Sequence, residues 1–206
     1  GSIYDEQKNF NMALQYYNKA LDIFKKQLPE NHPDIAQLLH DIGSLYEDQK
    51  SYQEALAYYK QSLEYFKQTL PKNHPSIAES KKYIGNLYRK QKEFDKALEY
   101  YEKSLEILKQ ILPENHLKIA SLLDDIGLTY SEEGEYKEAL ESYQLSLDIK
   151  KQKLTPLHPS IAASMDKIGL AYLEQGNYDK ALEYYKKSLE IKNKSLPANH
   201  PSIAGS

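Results

Sequence analysis

The chain has 206 residues, of which 40% are hydrophobic and 28% charged, with a formal net charge of -3 and no cysteine. The missing cysteines exclude disulfides and thiolate metal sites, and a slight negative charge argues against nucleic acid, which requires a strongly basic surface. No apolar run approaches the roughly 18 residues of a membrane-spanning helix. Neither nucleic acid nor a membrane is expected as a partner, and a cytoplasmic location is the default expectation.

A six-residue motif, whose first copy reads Asn-His-Pro-Asp-Ile-Ala, recurs at a constant interval of 42 residues. Its copies begin at Asn31, Asn73, Asn115, Leu157 and Asn199. A fixed period of this length is typical of one supersecondary unit stacked on copies of itself, because such a unit cannot bury its apolar face alone. The predicted units are a partial one at 1–32, four repeats at 33–74, 75–116, 117–158 and 159–200, and the start of a further unit at 201–206.

Two amphipathic helices are predicted in each unit. In the 33–74 unit, Ile35, Leu38, Ile42 and Leu45 recur at spacings of three and four, which indicates a helix with one apolar face. No segment alternates polar and apolar residues, so we expect no strands and an all-α fold. In chain order, the predicted helical segments are 2–8, 10–28, 33–49, 52–70, 75–91, 94–112, 117–133, 136–154, 159–175, 178–196 and 199–206, of which the first and last are partial.

Short connections separate these helices. Pro33 suits the first turn of a helix, and a capping box that starts at Asp34 is an alternative helix start. The turn inside the pair falls near residues 49–51, and the matching positions of later units include Gly134 and Gly176, which take a positive φ easily. Connections this short make the two helices of a pair antiparallel.

Glycines recur in the middle of the first helix of each pair, at Gly43, Gly85, Gly127 and Gly169. Each costs about 1 kcal/mol relative to alanine, so their common position predicts a close helix crossing. Matching small residues on the second helix are Ala13, Ala55, Ala97, Ala139 and Ala181. Tyrosines three residues beyond the glycine position are expected to fill the space between hairpins. They are Tyr4, Tyr46, Tyr88, Tyr130 and Tyr172.

The repeat resembles a known family. The residues that carry the likeness are Ile42-Gly43, Tyr46, Ala55-Leu56, Tyr59, Leu63 and Pro71. They resemble a tetratricopeptide repeat, and the 42-residue length with the His-Pro-Ser/Asp-Ile-Ala start resembles the longer form of kinesin light chains. The resemblance covers essentially the whole chain. It implies a right-handed α-solenoid of antiparallel helix pairs, whose concave groove, lined by the first helices, holds extended peptides.

The predicted peptide-binding residues lie on the groove side of these first helices. They are Lys82, Tyr83, Asn86, Arg89, Lys90, Asp124, Asp125, Leu128, Asp166, Leu170 and Leu173. The basic members suit an acidic ligand segment, because the arginine fork binds carboxylates in a bidentate manner, and the leucines suit apolar side chains. The alternative is a solvated surface whose charges pair with adjacent repeats. Lys81 stands where an apolar residue is expected. Its aliphatic stem is expected to snorkel, with the amine reaching water; alternatively, its charge joins the basic strip formed by Lys82, Arg89 and Lys90.

The histidine ladder does not indicate a metal site or an enzyme. Its members are His32, His74, His116, His158 and His200. Zinc ligands converge within about 2.0–2.3 Å of one ion, whereas these residues are separated by whole hairpins with helices about 8–10 Å apart. We therefore expect loop or cap packing. His40 lies beside Asp41 but has no activated nucleophile, so no catalytic residue, cofactor or metal is predicted.

Three functions are compatible with this pattern. The first is a non-enzymatic scaffold that binds a peptide segment of a protein partner in its concave groove. The second is a regulatory array excised from a larger enzyme or motor-adaptor protein. The third is a solenoid that associates head to tail, with 203–204 of one molecule near 3–4 of another. In that hypothesis Leu182, Tyr185 and Leu189 face a neighbour that the chain does not contain.

Overall fold

The computed structural model describes residues 2–29 and 32–195, and all regular secondary structure within them is helical. The helices are α1 (Ser2–Gln27), α2 (Pro33–Asp48), α3 (Tyr52–Thr69), α4 (Pro75–Lys90), α5 (Phe94–Ile111), α6 (Leu117–Glu133), α7 (Tyr136–Lys153), α8 (Pro159–Glu174) and α9 (Tyr178–Ser195). The all-α prediction is confirmed, and each predicted end of α2 to α9 is correct or one residue late. Predictions on the side chains of residues 3 and 4, and on 199–206, lie outside what is described.

The predicted turn between segments 2–8 and 10–28 is wrong, because α1 runs unbroken through it. A very similar sequence does turn at 91–94, where Lys92 adopts a φ of 61°. That conformation costs about 1–2 kcal/mol in a non-glycine residue, and the packing of α4 on α5 repays it. Continued helical hydrogen bonding through α1 avoids that strain.

The helices form two compact units, residues 1–107 and residues 108–206. In the first unit, α1 packs on α2, α2 on α3 and α3 on α4; in the second, α6 packs on α7, α7 on α8 and α8 on α9. Neighbours in sequence are thus neighbours in space, as expected for helical hairpins with short loops. No helix in the described part of the chain combines the length and the apolar character of a membrane span.

A histidine caps the first helix of each described pair. Its Nδ1 accepts a hydrogen bond from the backbone N–H two residues later, at 3.1–3.2 Å. The capping residues are His32, His74, His116 and His158. Cap packing is therefore confirmed for four ladder histidines. The alternative capping box at Asp34 is wrong, because Pro33 is already the first helical residue and His32 holds the cap position.

The turn inside each pair has one left-handed residue. Its φ is 60° at Lys50, 61° at Lys92, 95° at Gly134 and 83° at Gly176. Next to it, a backbone N–H bonds back to the carbonyl five residues earlier, as from Ser51 to Tyr46 at 2.9 Å, the pattern of a Schellman motif. The positive φ predicted at the two glycines is confirmed. Lysine at the first two turns carries a conformational cost that glycine avoids.

The close helix crossing predicted at the mid-helix glycines is confirmed. A Cβ atom added to Gly43 would lie 2.6 Å from Cδ1 of Tyr59, and one added to Gly85 would lie 2.7 Å from Cε1 of Tyr101. The rings that cover the glycines therefore come from the second helix. Tyr46, from the other tyrosine series, stacks on Tyr58 with ring centroids 5.5 Å apart.

A buried serine ties the two helices of each pair together, which the sequence analysis did not predict. Each hydroxyl donates to a backbone carbonyl 26 residues earlier, at 2.6–3.0 Å. The donors are Ser62, Ser104, Ser146 and Ser188. A buried hydroxyl without such a partner would cost about 1–3 kcal/mol, so these bonds fix the register of the two helices.

Candidate functional site

In the first unit, the groove-side residues of α2 and α4 surround a cavity of about 320 Å³, which we call the ring cavity. Phe66 of α3 also contributes to its wall. The lining residues are Gln37, His40, Asp41, Ser44, Phe66, Ser76, Glu79, Ser80 and Tyr83. Of the five residues predicted on α4, Tyr83 lines the ring cavity, and Lys82, Asn86, Arg89 and Lys90 do not.

Three aromatic rings meet at the ring cavity. The centroid of the His40 ring lies 4.8 Å from that of Tyr59 and 4.5 Å from that of Tyr83, and the two tyrosine centroids are 5.6 Å apart. Burial lowers the pKa of His40, against the charges of Asp41, Glu79 and Glu47, which raise it. His40 is therefore neutral at pH 7 and adds an aromatic surface without a positive charge.

Glu47 links α2 to both α3 and α4. The fully buried Tyr59 hydroxyl donates to its Oε2 at 2.7 Å, and Lys90 Nζ donates to its Oε1 at 2.7 Å. Burial, followed by the hydrogen bond to Glu47, raises the pKa of Tyr59 far above its ordinary value. Lys90, predicted to bind a ligand, is thus held by a carboxylate of the chain itself. A ligand carboxylate at this point competes with Glu47.

The other predicted residues of α4 differ in their surroundings. Asn86 Oδ1 accepts a hydrogen bond of 2.7 Å from the Tyr101 hydroxyl, so it supports the α4–α5 pair. Lys82 and Arg89 are half-buried. The charge of Lys82 lowers the pKa of Tyr83, but burial, the largest effect, leaves that pKa raised. Lys82 directly precedes Tyr83 on α4, but neither Lys82 nor Arg89 lines the ring cavity.

Lys81 faces away from this strip. It is half-buried, and burial followed by the charges of Lys67 and Lys103 lowers its pKa, while Glu106 and Glu99 raise it. These four charged residues belong to α3 and α5. These surroundings fit a snorkelling lysine, whose aliphatic stem packs on the protein while its amine reaches water.

In the second unit, Asp124 is the centre of a buried charge network. Its Oδ2 accepts hydrogen bonds from Lys150 Nζ at 2.6 Å and lies 2.9 Å from Lys167 Nζ. Lys150 also donates to Ser164 Oγ at 2.6 Å. Burial alone would raise the pKa of Asp124, but the bonds from Lys150 and Ser146 and the charge of Lys167 hold it below its ordinary value. Asp124 therefore stays ionised and neutralised from within the chain.

The same arrangement recurs one repeat later, where Lys192 Nζ lies 2.7 Å from Asp166 Oδ2. Lys150 and Lys192 are only 9% and 7% exposed, although lysine is rarely buried without an ionic partner. The sequence pattern pointed to both aspartates but not to their lysine partners. Their signal is a spacing of 26 residues, the same spacing that separates each buried serine from its acceptor.

The predicted leucines divide into a packed and an exposed set. Leu128 is partly buried against the core around Tyr143 and Ile168. Leu170 and Leu173 are 47% and 41% exposed and lie one helical turn apart on α8. They form an apolar surface on the side of α8 predicted to face a ligand. Asp125, on α6, is half-buried.

A second cavity, of about 750 Å³, opens in the second unit beside α6 and α7. Its walls include Ile119, Leu123 and Ile149 from the apolar faces, and Leu145, which is 56% exposed. The equivalent positions of neighbouring repeats hold Lys103 and Lys187. The cavity was not predicted. In the described part of the chain, no three His, Asp or Glu residues are grouped closely enough to hold a metal ion.

Tandem helical hairpins, joined by the same caps, turns and glycine contacts, define the chain as an α-helical repeat protein. Tetratricopeptide repeat models match residues 1–68 and 76–152, residues 40–110, and residues 161–202. The chain therefore belongs to the tetratricopeptide repeat family. Proteins of this family bind protein partners and are typically non-catalytic scaffolds. No curated protein matches the chain.

Solved structures with the same fold include kinesin light chain-like repeats. BtubC (BKLC) from P. vanneervenii has a TM-score of 0.82 at 18% identity, with 97% of this chain and 80% of that chain covered. A Podosopora anserina structure of nearly identical TPR-like repeats of the kinesin light chain type has a TM-score of 0.80 at 23% identity, covering 96% and 93%. The apo form of RapI has a TM-score of 0.78 at 24% identity, covering 93% and 51%. The likeness supports the kinesin light chain-like form of the repeat as a fold.

Proposed function

We propose that the chain is a non-enzymatic interaction module that binds a peptide segment of a protein partner along the first helices of its pairs. The ring cavity carries this proposal, because it is open between α2 and α4 while the core beneath it is closely packed. Concave sites with a few converging polar groups are the usual form of a ligand site. A cytoplasmic location is part of the same proposal.

The basic strip on α4 supplies the charged contacts in this proposal. Lys82 and Arg89 bind an acidic residue of the peptide, and Lys90 joins them by exchanging Glu47 for the ligand carboxylate. Exchange of one carboxylate for another retains a charge-assisted hydrogen bond on Lys90. The cost is that Glu47 keeps only its bond from Tyr59.

The second unit contributes apolar contacts and aspartates whose charge is already neutralised by lysines of the chain. Leu170, Leu173 and the exposed part of Leu128 receive apolar side chains of the peptide. Asp124 and Asp166 already hold lysine amines, and their second oxygens are buried, so their role is to shape a surface without unbalanced charge. An apolar ligand side chain there gains roughly 25 cal/mol per Å² of apolar area removed from water.

Peptide-library selection against the folded chain tests this function, followed by affinity measurements on the enriched peptides. Arg89→Ala and Lys90→Ala are each expected to weaken binding about tenfold, equivalent to about 1.4 kcal/mol. Lys186→Ala removes an exposed lysine of α9 and is the matched control. Unchanged affinity in both α4 variants rejects the assignment of the strip, and a selection that enriches no binder contradicts the proposed function.

A second candidate function is self-association. Apolar side chains are exposed on α9, with Tyr178 at 69% and Leu182 at 54%, and on α1, with Met12 at 46% and Tyr16 at 64%. These stripes suit contact between two copies. Sedimentation equilibrium distinguishes the candidates: a mass that stays monomeric as concentration rises contradicts self-association.

A further inference from the structure

We infer that the ring cavity accepts a cationic side chain, lysine or arginine, from the bound peptide. The inference rests on the proposed function and specifies which residue of the ligand enters this part of the surface. It assigns the cavity a preference opposite to that of Arg89 and Lys90, which lie farther along α4.

The charges of the lining favour a cation. Among the described residues that line the wall, Asp41 and Glu79 are charged, and none is a lysine or arginine. Of these lining residues, His40 could add a positive charge, but its burial favours the neutral ring. A ligand carboxylate would enter a site with two carboxylates and no lining cation, whereas an ammonium or guanidinium group would meet opposite charge.

The walls also suit a cation. The rings of His40, Tyr83 and Phe66 line the cavity, and Tyr59 packs behind them. A cation near the face of such a ring is attracted by its quadrupole, and the aliphatic stem of lysine or arginine gains from apolar contact. A volume of about 320 Å³ is at the lower end of ligand pockets and suits one long side chain.

The second unit gives an internal example of the same chemistry. His40, Lys82 and Asp124 occupy equivalent positions in successive repeats, and Phe66 is equivalent to Lys150 two repeats later. At the Asp124–Lys150 position, the chain inserts its own lysine amine between the helices of the pair. The ring cavity is at the corresponding place in the α2–α3 pair, where Phe66 replaces the lysine and no described lysine lines the cavity. This part of the hairpin therefore accommodates an ammonium group.

The inference predicts that the bound peptide carries both a basic and an acidic residue. Glu79 and Lys90 are eleven residues apart on α4, or about 16 Å at 1.5 Å per residue. A basic side chain in the ring cavity and an acidic one at the basic strip satisfy both regions at once. A purely acidic peptide leaves the ring cavity without a suitable partner.

Single-residue probes test the cavity without knowledge of the natural ligand. Nα-acetyl-arginine amide, Nα-acetyl-norleucine amide and Nα-acetyl-glutamate amide are titrated into the whole chain, and histidine ring resonances are followed by NMR. The chain has six histidines, and His40→Phe assigns the relevant signal by its loss. We expect a saturable shift of the His40 resonance with the arginine probe only. An equal response to norleucine, a stronger response to glutamate, or no response to any probe overturns the inference.

Charge-removal variants supply the second measurement. Asp41→Asn and Glu79→Gln should each weaken binding of the arginine probe about two- to fivefold, the scale of one partly exposed ion pair. Glu102→Gln removes an exposed charge of α5 and should leave binding unchanged. Equal affinity in all three variants overturns the inference.

The peptide selection separates this inference from the function on which it rests. Selected peptides that bind without a basic residue, or that bind Asp41→Asn and Glu79→Gln as tightly as the parent chain, overturn the inference and leave the proposed function standing. A selection that enriches no peptide overturns the proposed function, and the arginine titration still decides the chemistry of the cavity.

Discussion

Gly85→Ala adds one methyl group at the crossing of α4 and α5. The new Cβ would lie 2.7 Å and 2.8 Å from two ring carbons of Tyr101 and 3.2 Å from the Ala97 carbonyl oxygen. The Tyr101 ring is fully buried, and its hydroxyl is bonded to Asn86, so it cannot move without breaking other contacts. Overpacking of this kind costs up to about 3 kcal/mol, and the better helix propensity of alanine returns about 1 kcal/mol. We therefore expect a net loss of about 2 kcal/mol.

Gly169→Ala is the matched comparison, because it makes the same change at the same position of another repeat. Its Cβ would lie 3.0 Å from the nearest ring carbon of Tyr185, which is only half-buried and free to shift. The expected loss is smaller than that of Gly85→Ala by at least about 1 kcal/mol. Urea denaturation followed by circular dichroism measures both. Equal losses, or a gain of about 1 kcal/mol in Gly85→Ala, as for an unpacked helical glycine, would refute the close-crossing explanation.

Three further perturbations test the turns, the ion pairs and the ring cavity. Lys92→Gly should stabilise the chain by about 0.5–1 kcal/mol, and Gly134→Ala should destabilise it by about 1 kcal/mol, since both positions need a positive φ; denaturation midpoints check the signs. Asp124→Asn should cost about 3 kcal/mol by leaving Lys150 as a buried charge, and replacement of both by leucine and methionine should recover most of it. Because the folded pKa of Asp124 is lowered, its contribution to the free energy of unfolding is present above about pH 4 and is lost on further acidification. If Asp124→Asn loses stability below about pH 4 as steeply as the parent chain, this explanation is contradicted. The folded pKa of His40 is lowered, so the unfolded chain takes up its proton first, and stability should fall as the pH falls below about 6.5; His40→Phe should lack this loss in pH-dependent denaturation.

Periodicity alone predicted the helices well. The register of 42 residues places each apolar face, and the proline and glycine positions set the ends of the helices to within a residue from α2 onward. The exception is instructive. Residues 7–10 and 91–94 have nearly the same sequence, yet only the latter turn, because a strained φ at Lys92 depends on packing between two long helices.

The contacts at the candidate site were less predictable. A helical pattern tells which side of α4 bears Lys90, but its bond to Glu47 joins residues 43 apart and depends on the spacing between two pairs. Likewise, the helical pattern tells which side of α6 bears Asp124, but not that Lys150 of α7 bonds to it. Sequence patterns define faces, whereas the reach of long polar side chains is a property of the packed structure.

The measurement that matters most is an NMR map of the chain with a peptide enriched from the library. Backbone and histidine signals are recorded with and without the peptide. If the first helices bind it, the largest shifts fall on the exposed sides of α2 and α4, with His40 and Tyr83 among them, and the second helices change little. Shifts confined to α9 or α1, or centred on the second cavity around Leu145, would contradict binding on these helices.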